Sequence, residues 1–386
     1  MATAAQRVPV AAPANHRPEH EGPPGRDMAT IDVSPGQQTP LSSVAESVRD
    51  YYGKVLASSA DLKTSACCTD TAPPPHIAAA LAQVHDEVME RFYGCGSPIP
   101  PGLDGATVLD LGCGSGRDVY VLSQLVGPTG RVIGVDMTEE QLAVARRHQD
   151  WHAERFGYAN TDFRHGYIED LATAGIPDAS VDVVVSNCVL NLSPDKPRVF
   201  SEIFRVLKPG GELYFSDIFA DRRLPTPLLD DPVLVGECLA GALYTEDFRR
   251  ILDRAGCPDA RTVTASPVEI SDPDIERKIG FAAFTSRTVR AFKLPLEDRC
   301  EDYGQVAVYR GTVAEHPHAF DLDDHHRFRT GKPMLVCGNT ADMLAATRYA
   351  AHFTVTGDKS HHFGLFPCDP VDGAAVPAMG APSGCC

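Results

Sequence analysis

Val108-Leu109-Asp110-Leu111-Gly112-Cys113-Gly114-Ser115-Gly116 decides how the rest of the chain reads. Its first four residues form a short apolar run broken by one carboxylate, the length and composition of a buried strand. The run gives way to glycines at every second position. Residues without a Cβ adopt positive φ and let a ligand come close to the main chain. The spacing is G-x-G-x-G, which differs from the G-x-G-x-x-G of nicotinamide dinucleotide sites. Asp110 beside the loop suits a ligand carrying an ammonium better than one carrying a pyrophosphate.

On the carboxyl side of this loop, short apolar runs alternate with helical segments. Thr107 to Leu111 reads as a strand, Arg117 to Val126 as a helix, Arg131 to Val135 as a strand and Glu139 to Phe156 as a helix. Thr161 to His165, Val181 to Ser186 and Gly211 to Ser216 read as strands, with a helix at Lys196 to Val206. This alternation predicts an α/β fold with a doubly wound, Rossmann-like parallel sheet, whose ligands sit beyond the carboxyl ends of the strands. On the amino side, Ile77, Leu81, Val84, Val88 and Phe92 recur at helical spacing and predict one helix over Pro75 to Phe92, stopped at Tyr93-Gly94-Cys95-Gly96. Ser43 to Tyr52 predicts a shorter one.

After Phe219 the regularity fades. A Pro-rich stretch from Leu224 to Pro232 leads into Val233 to Leu243, then a helix over Thr245 to Ala255 with Thr245 as its N-cap. Arg261 to Thr264, Gln305 to Tyr309 and Met334 to Val336 read as strands without a defined sheet order. The expected organisation is a disordered segment 1–43, a cofactor domain with N-terminal helices 44–218, a further unit 219–293, a smaller α+β domain 294–366 and a disordered, cysteine-containing tail 367–386.

The chain has 386 residues, 35 Lys+Arg against 52 Asp+Glu, and a net charge of -17. That balance argues against nucleic acid and against an anionic membrane surface as partners. No apolar run is long enough to span a bilayer. Twelve cysteines in this length are too sparse for a disulfide scaffold. The N-terminus lacks the apolar core of a signal peptide, so a cytoplasmic monomer is expected, with thiols available for chemistry.

Asp136 ends the second strand, where a carboxylate accepts both hydroxyls of a ribose. Gly166-Tyr167-Ile168-Glu169 follows the third strand, where a side chain can reach an adenine edge. With Val206-Leu207-Lys208-Pro209-Gly210-Gly211, this set resembles the class I S-adenosylmethionine-dependent methyltransferases. The resemblance implies S-adenosylmethionine as cofactor, with contacts from Tyr93, Asp110, Gly112, Cys113, Gly114, Gly116, Asp136, Met137, Ile168, Glu169 and Asn187.

Cys188 follows a central strand in Ser186-Asn187-Cys188-Val189-Leu190-Asn191-Leu192, and Cys238 stands in Gly236-Glu237-Cys238-Leu239-Ala240-Gly241-Ala242-Leu243-Tyr244. Cys95 precedes the sheet, and Cys67 with Cys68 lies in Thr64 to Thr69. None forms a C-x-x-C pair, which argues against a zinc ribbon. Taken singly, each is an ordinary small apolar residue, and Cys113, Cys257, Cys300 and Cys337 are read that way. Taken together with the segments around Asp110 to Asp118, Gly134 to Thr138 and Leu213 to Asp217, the first group resembles the arsenite methyltransferase family over about residues 45 to 290. The resemblance implies that Cys95, Cys188 and Cys238 hold trivalent arsenic as arsenite or a methylated arsenical. It also implies that Cys67 or Cys68 forms a redox disulfide with Cys95, renewed by a thiol reductant such as thioredoxin or glutathione. The terminal Cys385 and Cys386 resemble the family's cysteine-rich tails.

The implied chemistry fits the residue types. Trivalent arsenic is soft and prefers thiolates to carboxylates or imidazoles. Its lone pair attacks a sulfonium methyl without a general base. Two rival readings are a methyltransferase acting on a small organic acceptor, for which the cysteines would be dispensable, and a non-catalytic arsenic-binding protein, for which Asp110 and Asp136 would be. The doublets His325-His326 and His361-His362 read as solvated, and Asp221-Arg222-Arg223 as an exposed connector.

Overall fold

The computed structural model describes residues 72–92, 98–236, 238–270 and 272–367. The segment 1–43, the helix at Ser43 to Tyr52, the tail beyond residue 367, and Cys67, Cys68, Tyr93, Cys95, Cys385 and Cys386 lie outside the described residues.

Two short helices come first, α1 (Pro75–Leu81) and α2 (Asp86–Glu90). A single helix over Pro75 to Phe92 is therefore corrected. His85 takes an extended backbone, its ring accepts from the Glu87 N–H at 3.2 Å, and its own N–H donates to His152 Nε2 at 3.2 Å. A cap plus a tertiary hydrogen bond breaks a helix that apolar spacing alone would continue.

The alternating region follows as β1 (Thr107–Leu111), α3 (Arg117–Val126), β2 (Arg131–Asp136), α4 (Glu139–Arg147), α5 (Gln149–Phe156), β3 (Thr161–His165), β4 (Val181–Asn187), α6 (Lys196–Val206) and β5 (Leu207–Ala220). The expected single helix Glu139 to Phe156 is split at His148, whose Nε2 lies 2.7 Å from Glu87 Oε2. The strand expected at Gly211 to Ser216 runs over fourteen residues instead. Then come α7 (Pro232–Gly236), β6 (Leu243–Tyr244), α8 (Thr245–Arg254), β7 (Ala260–Pro267), α9 (Pro273–Ile279) and β8 (Phe284–Phe292). Thr245 is the first residue of α8 and Tyr244 its N-cap, because the Thr245 hydroxyl reaches back to Ala220 O at 3.5 Å rather than capping.

The main sheet has the order β3-β2-β1-β4-β5-β8-β7, with β6 beside β5. β3 through β5 are parallel, while β8 and β7 run antiparallel to their neighbours. The expected α/β Rossmann-like fold is present, with the parallel sheet extended into a mixed one. Residues 260–292 thus enlarge the same sheet. Chain order reverses at β1, between β2 and β4, which opens a ligand crevice at the carboxyl edge. Both faces are apolar: Val108, Val119, Leu122 and Phe163 pack on one side, and Leu109, Leu111, Phe200 and Phe215 on the other.

The last part comprises β9 (Glu301–Asp302), β10 (Gln305–Tyr309), β11 (Ala319–Asp321), β12 (Arg327–Arg329), β13 (Pro333–Val336), α10 (Gly338–Ala345), β14 (Phe353–Thr356) and β15 (Gly364–Leu365). β13-β10-β14 is an antiparallel sheet, and β11 with β12 and β15 with β9 are two-stranded ladders. A buried polar cluster joins it to the main sheet. Arg290 Nε lies 2.9 Å from Glu212 Oε1, Arg348 pairs with the other oxygen, and Tyr349 OH stands 3.2 Å from Glu212 Oε2. His326 is buried against Asp323 at 2.7 Å, which corrects the solvated reading of that doublet; His361 and His362 are exposed. No helix among the described residues is long and apolar enough to cross a membrane.

Candidate active site

The glycine loop leaves β1 with Gly112, Gly114 and Gly116 all at positive φ. Gly114 is open: a Cβ placed there meets nothing within 4 Å, and its N–H donates to Asp136 Oδ2 at 2.8 Å. The Thr138 N–H donates to the other oxygen, also at 2.8 Å. The Thr138 side chain adds a third hydrogen bond to this carboxylate at the end of β2, which keeps acceptor capacity for a ligand hydroxyl. Gly112 sits against the turn that follows β4, where a Cβ would fall 2.4 Å from Val189 Cγ2.

Three carboxylates line this crevice. Asp110 is buried, and its pKa is raised well above the usual carboxylate range, first by desolvation and then by Asp118 and Asp136. Arg117 supplies one neighbouring cation, 2.8 Å from Asp118 Oδ1 and stacked over the Phe92 ring. Asn187 Nδ2 donates to Asp118 Oδ2 at 3.1 Å. An excess of buried negative charge favours a cationic ligand. S-adenosylmethionine, with its ammonium and sulfonium, fits that charge and the open glycine backbone. Sequence reasoning missed Asp118 and Thr138 as site residues; the acidic first turn of α3 was the available signal for Asp118.

The other expected cofactor positions fall around the same edge. Cys113 is buried in the loop, with its thiol pushed up by desolvation and by Asp136 and Asp110, so it remains protonated and inert. The Ile168 side chain belongs to the core, and Glu169 accepts a short hydrogen bond from the Ser193 hydroxyl. Met137, next to Asp136 in the chain, packs against an apolar cluster containing Cys188 and Cys238.

Those two cysteines converge. The Cys188 N–H donates to Ser216 O at 2.9 Å, continuing the β4–β5 ladder by one residue. β5 overhangs β4, and β6 pairs with the overhang at Phe219 and Ala220. The segment entering β6 therefore crosses the end of β4, and Cys238 Sγ reaches Cys188 O at 3.4 Å. Both are buried. Cys188 has φ 56° and Cys238 φ 60°; among the described residues Ala179 is the other non-glycine residue at positive φ. Left-handed backbone at an ordinary residue costs about 1–3 kcal/mol and concentrates at functional sites. Cys188 stands in a disulfide, and the five other described cysteines all carry thiols, so none of them is its partner. That disulfide was not anticipated from the sequence.

A polar cluster fixes the turn behind Cys188. Asn191 Nδ2 donates to Asp217 Oδ1 and to Ile218 O, both at 2.6 Å, and the Asn191 N–H donates to Asp217 Oδ2 at 3.1 Å. Burial pushes the Asp217 carboxyl up to about 7. Lys196 Nζ donates to Asn191 O at 3.1 Å and Ser193 O at 3.0 Å, and burial lowers its pKa against the attraction of Asp217, Cys238 and Glu169. Gly241 allows the Cys238 segment to lie on this turn, since a Cβ would fall 2.2 Å from Asn191 O.

The chain matches the family described as "Methyltransferase domain" over residues 103–256 and "Arsenite methyltransferase C-terminal domain" over residues 303–369. It is 58% identical over 346 residues to an arsenite methyltransferase of Aquipseudomonas alcaligenes, covering 88% of this chain and 99% of that one. It is 44% identical over 320 residues to the arsenite methyltransferase of Homo sapiens, covering 81% and 84%. Among solved structures, it resembles an arsenic(III) S-adenosylmethionine methyltransferase from Chlamydomonas reinhardtii, with a TM-score of 0.74, 55% identity, and coverage of 77% of this chain and 100% of that one. A relative this similar along almost its whole length leaves one conclusion: the chain belongs to the arsenite methyltransferase family.

Proposed function

We propose that this chain methylates trivalent arsenic held by the thiolates of Cys95, Cys188 and Cys238. The observation that carries the reading is the meeting of Cys188 and Cys238, fifty residues apart and both in left-handed backbone, beside a carboxylate-lined crevice. Bound S-adenosylmethionine supplies an electrophilic methyl on a sulfonium. Asp110, Asp136, Gly114 and Asn187 are the residues we assign to hold it, with Tyr93, Gly112, Cys113, Gly116, Met137, Ile168 and Glu169 around it. The protein's part is to bring the arsenic lone pair to that methyl, and positioning of this kind is worth roughly 7–11 kcal/mol. No side chain has to remove a proton from the nucleophile. Thiols must lose protons to bind arsenic, so binding releases protons near neutral pH.

Cys188 in a disulfide cannot ligate arsenic, which supports a requirement for a cellular thiol reductant, thioredoxin or glutathione, before and during turnover. Cys67 or Cys68 is assigned to that redox step with Cys95. We place the enzyme in the cytoplasm, as a monomer, where such reductants act.

Incubation of the reduced protein with arsenite or a monomethylated arsenical and S-adenosylmethionine, followed by arsenic speciation, tests the assignment. Arsenite has three exchangeable groups and a monomethylated arsenical two. Cys188→Ser and Cys238→Ser should therefore abolish methylation of both, and Cys95→Ser only that of arsenite. Full activity of Cys188→Ser on arsenite refutes the site.

A further inference from the structure

Two further cysteines meet away from the catalytic edge. Cys337 is the N-cap of α10, and its Sγ accepts from the Thr340 N–H at 3.5 Å, with Thr340 Oγ1 at 3.2 Å. Arg261 Nη2, on β7, donates to the same sulfur at 3.8 Å. Cys300, just before β9, hydrogen-bonds to it from another side. Both cysteines are buried and carry thiols. An apolar filler needs no donors, whereas this sulfur receives them from three elements. The Cys337 thiol is drawn down to about 5 by the Cys300 hydrogen bond, against desolvation, with Arg261 and Thr340 adding to the effect. Cys257, equally buried and bonded only to the main chain at Asp259 and Phe292, is pushed up to about 12, by desolvation first and then by the Asp259 charge.

We propose that the neighbouring sulfurs of Cys300 and Cys337 are oxidised by hydrogen peroxide to an internal disulfide, a modification site separate from the arsenic-binding cysteines. The Cys337 thiolate attacks one peroxide oxygen; an S–O bond forms, the O–O bond breaks and hydroxide leaves. Cys300 sulfur then attacks the Cys337 sulfenic acid; the S–S bond forms, the S–O bond breaks, and the Cys300 proton leaves with that oxygen as water. Two electrons pass from the sulfurs to peroxide, and a dithiol reductant returns them. Access lies on the Cys300 side. Its carbonyl is covered by the Phe366 N–H at 2.8 Å, next to the two-residue β15–β9 ladder with Leu365 exposed. Such short edge ladders open at little free-energy cost.

Peptide mapping of the full chain tests this. The reduced protein is treated with a small excess of peroxide, denatured, alkylated and digested. The expected result is a Cys300–Cys337 cross-linked peptide that dithiothreitol abolishes. In Cys300→Ser, a 1,3-dione probe should capture a sulfenic acid at Cys337. The proposal is overturned if both cysteines stay alkylatable after peroxide has oxidised other thiols of the chain. It is equally overturned if Cys337 in a Cys300→Ser variant melting like the parent gives no adduct.

Discussion

Asp110, Asp118 and Asp136 surround the crevice with more negative charge than Arg117 neutralises. Asp110→Asn should weaken S-adenosylmethionine binding about 10- to 100-fold, the loss of one charge-assisted contact, as read by titration calorimetry. The neutral side chain fits the same space, so thermal stability should hold or rise. Asp217 makes a different prediction. Its folded pKa, raised from 3.8 to about 7 by burial, means that the folded state binds more protons than the unfolded state between those values. The stability it contributes is complete below about 3.8 and is lost as pH rises toward 7. Urea unfolding at pH 5 and pH 8 should show a drop on the order of 2–3 kcal/mol in the parent. Asp217→Asn should lose most of that drop; an unchanged difference contradicts the buried-carboxyl account. At this scale the sequence was legible where a residue type has a standard place, as with Asp136 at the end of β2. It was silent on Asp217 and Lys196, whose roles arise from burial and from a partner on another turn.

The turn Leu190–Leu192 and the segment around Gly241 are the elements that bring the thiols together. Gly241→Ala must displace one of them, because its Cβ would fall 2.2 Å from a backbone oxygen. Methylation of arsenite should fall at least about tenfold in this variant, while S-adenosylmethionine affinity stays within about twofold, since Gly241 meets the turn at Asn191 whereas the glycine loop meets it at Val189. Wild-type methylation in this variant would show that the contact is not needed. Strands β1, β2 and β4 could be read from the sequence because short, mostly apolar runs of this length have few other structures open to them, whereas β3, with Phe163 as its one apolar residue, was legible from its place in the strand–helix alternation. The split helices could not, because His85 and His148 act through partners 67 and 61 residues away in sequence. Periodicity counts neighbours on one helix and is blind to such bonds.

The molecule as a whole is tied together by Glu212, which is fully buried and meets Arg290 on β8 with Arg348 and Tyr349 from the C-terminal part. Arg348 also donates to Gly102 O at 3.0 Å and Pro101 O at 3.1 Å, reaching the segment before β1. Removing one partner of a buried pair leaves an uncompensated charge, so Glu212→Gln should destabilise the chain by about 3–5 kcal/mol in chemical unfolding. The antiparallel addition of β8 and β7, and the short strands after residue 300, had no defined sheet order in the sequence. Their pairings are non-local, and strands of two to five residues carry little pattern. The larger claim is that this fold carries cysteines from distant parts of the chain to one arsenic atom. X-ray absorption at the arsenic edge of the reduced, arsenite-loaded protein tests it directly. The account predicts three sulfur neighbours and no oxygen, with a sulfur lost in Cys238→Ser; fewer than three in the parent, or an unchanged three in that variant, would contradict it.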